Sequence, residues 1–348
     1  MMPEEWPIAA PAADENAPAR HAGRGRLATV RRDFFLDPAK RLTEQERALM
    51  TAMLRCLVSD VADAIRASLP SGRVAANDEG DAALIETLTS SGLLDEPNLM
   101  AVLLRRADEE RIATAARARS GRREARVLQG LVSHDYGAVA AAAMALILGR
   151  GRRRDRFGQC LIAYDDLQPA SAESLVNAVA AGLRRELAGA RGVSSADLEL
   201  AESCDRVVER HDEERGIDSL TAALAHFLDE AGGLTDELLL AAAHEGEVAF
   251  LAEVLGRRAG VPTNAAMDEL LSGDALHLMA LLRMAGMSRE LSAGLLAGIG
   301  DLLGIDDAGE AIGIFDRMTE AESQAARSWL VTAPGYRNAL ERLGQGRG

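Results

Sequence analysis

From Leu42 onward the apolar positions recur at helical spacing. Leu49, Met53, Leu57, Val61, Ile65 and Leu69 fall every four residues, while Arg47, Arg55, Asp63 and Arg66 take other faces. Thr43 with Glu46 three positions on has the form of a capping box. This pattern predicts one long amphipathic helix, closed at Pro70-Ser71-Gly72. Shorter periodic segments follow at about 80–91, 97–107, 108–119, 122–133, 135–149, 155–166, 171–188 and 194–215, and each reads as a helix. Gly92, Gly121 and Gly149 stand at or beyond predicted C-termini, and Pro97 and Ser171 at starts. No alternating Val/Ile/Thr run is bounded by Asn-Gly or Asp-Gly turns, so sizeable strands are not expected. The predicted fold class is all-α.

Residues 218–303 carry an internal repeat. Ala231-Gly232-Gly233-Leu234-Thr235, Ala259-Gly260-Val261-Pro262-Thr263 and Ala285-Gly286-Met287-Ser288 share one arrangement, 28 and then 26 residues apart. Each offers a glycine for a left-handed helix end, an apolar residue to fold back on the last turn, and an opener for the next helix. The body repeats as well: Gly246-Glu247-Val248 with Leu251, Val254 and Leu255 aligns on Gly273-Asp274-Ala275 with Leu278, Leu281 and Leu282. Two short helices cannot bury their apolar faces alone, so neighbouring units must stack, which predicts a helical-repeat, α-solenoid-like array of short antiparallel helix pairs. A helical bundle with similar loops is the competing arrangement. The organisation expected is a disordered arm over 1–32, a helical domain over 33–190 and an acidic helical-repeat domain over 191–348. Its boundary is suggested by Gly189-Ala190-Arg191-Gly192.

Composition narrows the function classes. The chain has 348 residues and a formal net charge of −15, and aromatic residues make up 3%. That scarcity argues against carbohydrate clefts and base-stacking platforms. Cys56, Cys160 and Cys204 are widely separated, so neither a disulfide framework nor a zinc spacing can be drawn, and a reducing cytoplasm fits best. The first twenty residues, rich in Ala, Pro and acids, lack the positive and apolar regions of a secretory signal. The longest apolar run, Ala138 to Leu148, is too short to span a bilayer and suits a buried helix.

Two stretches carry a family likeness. Asp33-Phe34-Phe35-Leu36-Asp37-Pro38 with Arg41-Leu42-Thr43-Glu44-Gln45-Glu46-Arg47-Ala48-Leu49-Met50, and Glu245-Gly246-Glu247 through Ala259-Gly260-Val261-Pro262 with its echo at 273–288, resemble bacterial proteins of domain-of-unknown-function family 2336. The resemblance spans roughly residues 33–340. It rests on helix-packing patterns, so it implies an all-helical fold and assigns no catalytic, cofactor or metal residue.

Catalytic motifs are not found. His21, His134, His211, His226, His244 and His277 are scattered, and His244-Glu245 lacks the second histidine of a zincin helix because Val248 stands there. His211, beside Asp212-Glu213-Glu214, is expected on an acidic helix face. Gly23-Arg24-Gly25-Arg26-Leu27-Ala28 resembles a dinucleotide fingerprint but follows no strand. Asp301, Asp306, Asp307 and Glu310 miss calcium-loop spacing and read as a solvated loop. No cofactor is implied.

Charge is the one distribution with a functional look. From Asp197 onward there are 28 acidic and 12 basic residues, whereas 100–160 holds 13 arginines against six acids. Arg105, Arg106, Arg122, Arg123, Arg126, Arg152, Arg153 and Arg154 are the candidate surface for an anionic partner. The competing account places Arg105-Arg106, Arg117-Arg119 and Arg150 to Arg154 at helix C-termini, where cations complement the helix dipole. The function expected is a non-catalytic scaffold or adaptor for another protein. A homo-oligomer would join the basic N-terminal half to the acidic C-terminal half. The alternative is a nucleic-acid or anionic-ligand regulator acting through the Arg-rich 105–156 face, with nucleic acid disfavoured by the net charge and the lack of interleaved aromatics.

Overall fold

A computed structural model describes residues 42–69, 78–121, 126–191 and 193–343. The expected disordered arm, the fingerprint-like 23–28, the Pro70-Ser71-Gly72 stop and the candidate residues Arg122 and Arg123 lie outside the described residues. Sixteen α-helices and no strand occur among those described: α1 Glu44–Ser68, α2 Asp78–Ser91, α3 Pro97–Ser120, α4 Val127–Leu131, α5 Gly137–Arg152, α6 Pro169–Arg191, α7 Val193–Val208, α8 Ile217–Glu230, α9 Asp236–Glu245, α10 Val248–Ala259, α11 Thr263–Leu271, α12 Ala275–Met284, α13 Arg289–Ile299, α14 Ala308–Arg317, α15 Glu320–Leu330 and α16 Pro334–Arg342. The protein is all-α. No helix among the described residues is long and apolar enough to cross a membrane.

The start of α1 belongs to one compact unit, Met1–Arg47, and carries its predicted cap. The Thr43 amide donates to Glu46 Oε2 at 2.8 Å and the Glu46 amide to Thr43 Oγ1 at 3.1 Å. Ala48–Gly348 forms the second unit. In it Met53, Leu57, Val61, Ile65 and Leu69 are buried, the stripe their four-residue spacing predicts. They join a first apolar cluster with residues of α2, the first half of α3, α6 and α7. A second cluster gathers Ile112 of α3 with α4, α5 and α8 to α15.

The second cluster is built around α10, where ten of twelve residues are buried, Phe250 completely. A helix apolar on every side needs neighbours on every side, and α8, α9, α11, α12 and α3 supply them. Its one buried carboxylate, Glu253, accepts a hydrogen bond from Thr263 Oγ1 at 2.5 Å. The helices pack in pairs, some consecutive, such as α6 with α7 and α10 with α11. Others are distant, such as α5 with α8, α9 with α13 and α12 with α14.

The repeated glycines end helices as predicted. Gly232, Gly260 and Gly286 have φ of 65°, 68° and 67°. In each case the following amide donates to the carbonyl five residues back: Gly233 to Leu228 at 2.7 Å, Val261 to Gly256 at 3.0 Å and Met287 to Leu282 at 3.0 Å. Each glycine's own amide donates to the carbonyl three back, completing a Schellman end. Gly246, with φ 72°, makes the same pair of bonds at the end of α9. The ends alternate with N-terminal side-chain caps from Thr235, Asp274 and Ser288.

Three predicted segments come out differently. The helices expected at 97–107 and 108–119 are one helix, α3, because Asp108-Glu109-Glu110-Arg111 contains no breaker. Arg105 and Arg106 are therefore mid-helix and not at a C-terminus. Residues 155–163 are not helical, and Tyr164–Asp166 make only a single 3-10 turn. Asp155 Oδ1 accepts from the amides of Phe157 and Gln159, Gly158 takes φ 82°, and Arg154 bridges to Cys160 as an isolated β pair. The segment expected to run to 215 stops at Val208, which leaves His211 off the helix, its Nε2 3.0 Å from the Leu167 carbonyl. The helix α6 ends at Arg191 and α7 starts at Val193, and Gly192 of the expected boundary lies outside the described residues.

Gly246 and Gly260 separate two costs. A Cβ on Gly260 would meet no atom within 4 Å, whereas one on Gly246 would lie 3.0 Å from Ala113 Cα and 3.1 Å from the Ile112 carbonyl. Gly260→Ala is expected to lose about 1–2 kcal/mol, the left-handed penalty alone, and Gly246→Ala distinctly more, since α3 must also move. Urea denaturation followed by circular dichroism reads both; equal losses would contradict the close approach.

Candidate functional site

On α3, Arg106, Glu109, Glu110, Ala113 and Arg117 occupy one stripe, spaced three, four, seven and eleven residues from the first. This stripe forms one wall of a cleft of about 340 Å³. The last turns of α5 and the loop after it bring Ile147, Arg150, Gly151, Arg153, Arg154, Cys160 and Leu161; α4 brings Leu128 and Gln129. The α9–α10 turn brings Gly246, Glu247, Val248 and Ala249, pressed against α3 where only a glycine fits.

Every arginine lining this cleft is matched to a carboxylate. Buried Arg106 donates to both Glu109 oxygens at 2.8 and 2.7 Å and to Asp218 Oδ1 at 2.5 Å, and its Nε has no hydrogen-bond partner among the described residues. Arg154 reaches both oxygens of Glu110, at 3.2 and 2.7 Å, and Arg117 reaches the same carboxylate at 3.2 Å. Arg150 lies 2.7 Å from buried Glu247. Arg153 Nε donates to Asp166 at 2.9 and 2.7 Å, its Nη1 to the Gly149 carbonyl and its Nη2 to the Arg215 carbonyl. Asp166, 1% exposed, also accepts from the amides of Ala163 and Ile217 at 2.8 and 2.9 Å. This buried pair therefore ties the end of α5, the turn at 164–166 and the start of α8 together.

The carboxylates titrate in different directions. Burial, with the neighbouring Asp218 charge, pushes Glu109 up against the opposing pull of Arg106. Asp218 is held below the ordinary carboxylate range: burial opposes this, but Arg106 and Arg105 outweigh it. Glu110 is likewise lowered against its burial by the hydrogen bonds and charges of Arg154 and Arg117. Cys160 is pushed up to about 11 by burial and by the Glu110 charge, which keeps the thiol protonated at neutral pH and weakly nucleophilic. Among the described residues no three His, Cys, Asp or Glu side chains gather as a metal-ligand set. What the arrangement offers is charge recognition.

The candidate arginines divide accordingly. Arg106, Arg153 and Arg154 come together in the cleft, and Arg105 stands 3.6 Å from Asp218 just beside it. Arg126 and Arg152 are exposed on the surface. The helix-end account holds for Arg117 and Arg119 in the last turn of α3, for Arg150 and Arg152 in the last turn of α5, and for Arg153, which caps a carbonyl there. Of the acidic loop residues, Asp301 pairs with Arg119 and Asp307 caps α14. Glu109 and Glu110 were readable as helix neighbours of Arg106 and Arg117. Glu247, Asp166 and Asp218 come from distant segments, and no local spacing announces them.

Fold and cleft together define an all-helical protein with a charge-lined cleft. The model of the family described as "Uncharacterised protein conserved in bacteria (DUF2336)" matches residues 85–328, and the chain belongs to that family. The match contains the repeat at 245–288 and every described arginine of the candidate surface, while the Asp33–Met50 stretch lies outside it. No curated protein and no solved structure matches the chain.

Removing one member of the Arg153–Asp166 pair leaves the other charge buried. Asp166→Ala is expected to destabilise the protein by about 3–5 kcal/mol, measured as a shift in the urea midpoint. A loss under about 1 kcal/mol, the range of an exposed pair, would show that the joint is not buried in solution.

Proposed function

We propose that this protein is a non-catalytic helical adaptor, working in the cytoplasm, that offers a helix face to a partner protein. One observation carries the reading. The outward stripe of α5 is apolar: Gly137, Ala141, Met144, Leu148 and Gly151 are exposed, with Met144 at 42% and Leu148 at 53%. The opposite face, Val139, Ala142, Ala143, Leu146 and Gly149, is buried in the second cluster. An amphipathic helix ordinarily turns charge to water, and this one turns methionine and leucine, which favours a covering partner. Stacked helix pairs, the finer form of the fold, suit such a role by presenting elongated faces. The arginines of 105–156 give less support to a polyanion, since most of them are already matched to carboxylates within the chain.

The test uses the full chain and a Met144→Glu/Leu148→Glu variant, purified from their native host under one protocol. Both substitutions lie on an exposed face, so circular dichroism should be unchanged. A co-purifying protein, or a second copy detected by light scattering, is expected to be lost from the variant by tenfold or more, roughly the effect of placing charges in an apolar contact. Equal recovery with both chains would remove α5 from the proposal. Binding of duplex DNA that weakens steeply with salt would favour the alternative.

A further inference from the structure

The cleft between α3, α5 and the α9–α10 turn has its own charge ledger, in which Met144 and Leu148 take no part. The groups around Arg106 and Arg153 balance: Arg105 and Arg106 face Glu109 and Asp218, and Arg153 faces Asp166. Those at the rim do not. Arg117, Arg150 and Arg154 are all partly exposed, and among the described residues their ion pairs are with Glu110 and Glu247, with Arg117 and Arg154 sharing the one Glu110 carboxylate. Among the described residues one positive charge is in excess at that node. Arg106, buried on the same α3 stripe, keeps a guanidinium N–H without a partner among the described residues.

The rest of the lining is greasy, with Leu128, Ile147, Leu161 and Val248 beside the charged groups. A volume of about 340 Å³ falls at the small end of the roughly 300–1,000 Å³ typical of small-molecule sites. A cavity lined by charge is filled in solution, by water or by a solute that meets its polar groups better. The solute that matches is small, apolar over most of its body and singly negative. A phosphate monoester, at close to two charges, exceeds the single positive excess, and a polymer does not fit a concave site of this size.

We propose that this cleft binds a small amphipathic carboxylate, its carboxyl group beside Arg117 and Arg154 and its apolar body on Leu128, Ile147, Leu161 and Val248. The two guanidiniums then have two carboxylates between them, Glu110 and the ligand's, and the rim becomes neutral. Planar forks that already present N–H groups to one carboxylate are well shaped for a second.

Octanoate is the probe, titrated calorimetrically into the full chain, with octanol and octanamide as uncharged counterparts. Saturable one-to-one binding of octanoate is expected, with both counterparts weaker by roughly tenfold or more, the scale of one charge-assisted hydrogen-bonded contact. An Arg117→Gln/Arg154→Gln variant is expected to lose a similar factor. Because Arg154 also holds the Gly158 carbonyl, a second variant protects the test: a Cβ on Gly151 meets no atom within 4 Å, so Gly151→Phe enters open space at the lining, keeps the fold and blocks the site. Absence of saturable octanoate binding, equal binding of octanol, or unchanged octanoate binding by a folded Gly151→Phe chain would each overturn the assignment. The Met144→Glu/Leu148→Glu chain should still bind octanoate, so failure of the adaptor reading and failure of the cleft assignment are distinguishable.

Discussion

The structure depends on a helix with no face left for water. Val248 to Ala259 is apolar almost all round, and burying one leucine or phenylalanine side chain is worth roughly 1.5–3 kcal/mol before the entropy of ordering it is subtracted. A twelve-residue helix is marginal by itself in water, so α10 gains its stability only when neighbours from several parts of the chain reach it together. Short helices ending in Schellman glycines serve that need: each turn is tight enough to return the chain directly to the same core.

The cleft follows from that packing. Gly246 lets the turn before α10 lie against the backbone of α3, and this contact carries Glu247 to Arg150 and sets Val248 beside the arginine stripe. Distant carboxylates then meet arginines that sequence neighbours would not have neutralised. The result is a recess at whose edge Arg117 and Arg154 share Glu110, next to a helix whose outer stripe is apolar.

Local physics was legible in the sequence wherever the controlling interactions were local. The α1 stripe, the Thr43–Glu46 cap and the glycine ends at 232, 260 and 286 depend on residues within one or two turns, and spacing alone places them. The failures share a cause as well. No local signal told that Asp108-Glu109-Glu110-Arg111 would continue a helix, because charged residues fit an interior as well as an end. Residues 155–166 lost their helical reading to the Asp155 side chain, which competes for backbone amides. Pairings such as α9 with α13, and Arg106 with Asp218 across more than a hundred residues, are tertiary and leave no periodic trace. The arginines were therefore visible as a charge excess, but which carboxylate each of them meets was not.

Native-state hydrogen exchange in low denaturant tests the dependence on α10 most directly. If α10 folds only with its neighbours, the slowest amides of α8 to α13 open together, with one free energy and one denaturant slope equal to those of global unfolding. If amides of α10 instead exchange through a smaller opening while α8 and α13 stay protected, that helix is not the element on which the others rely.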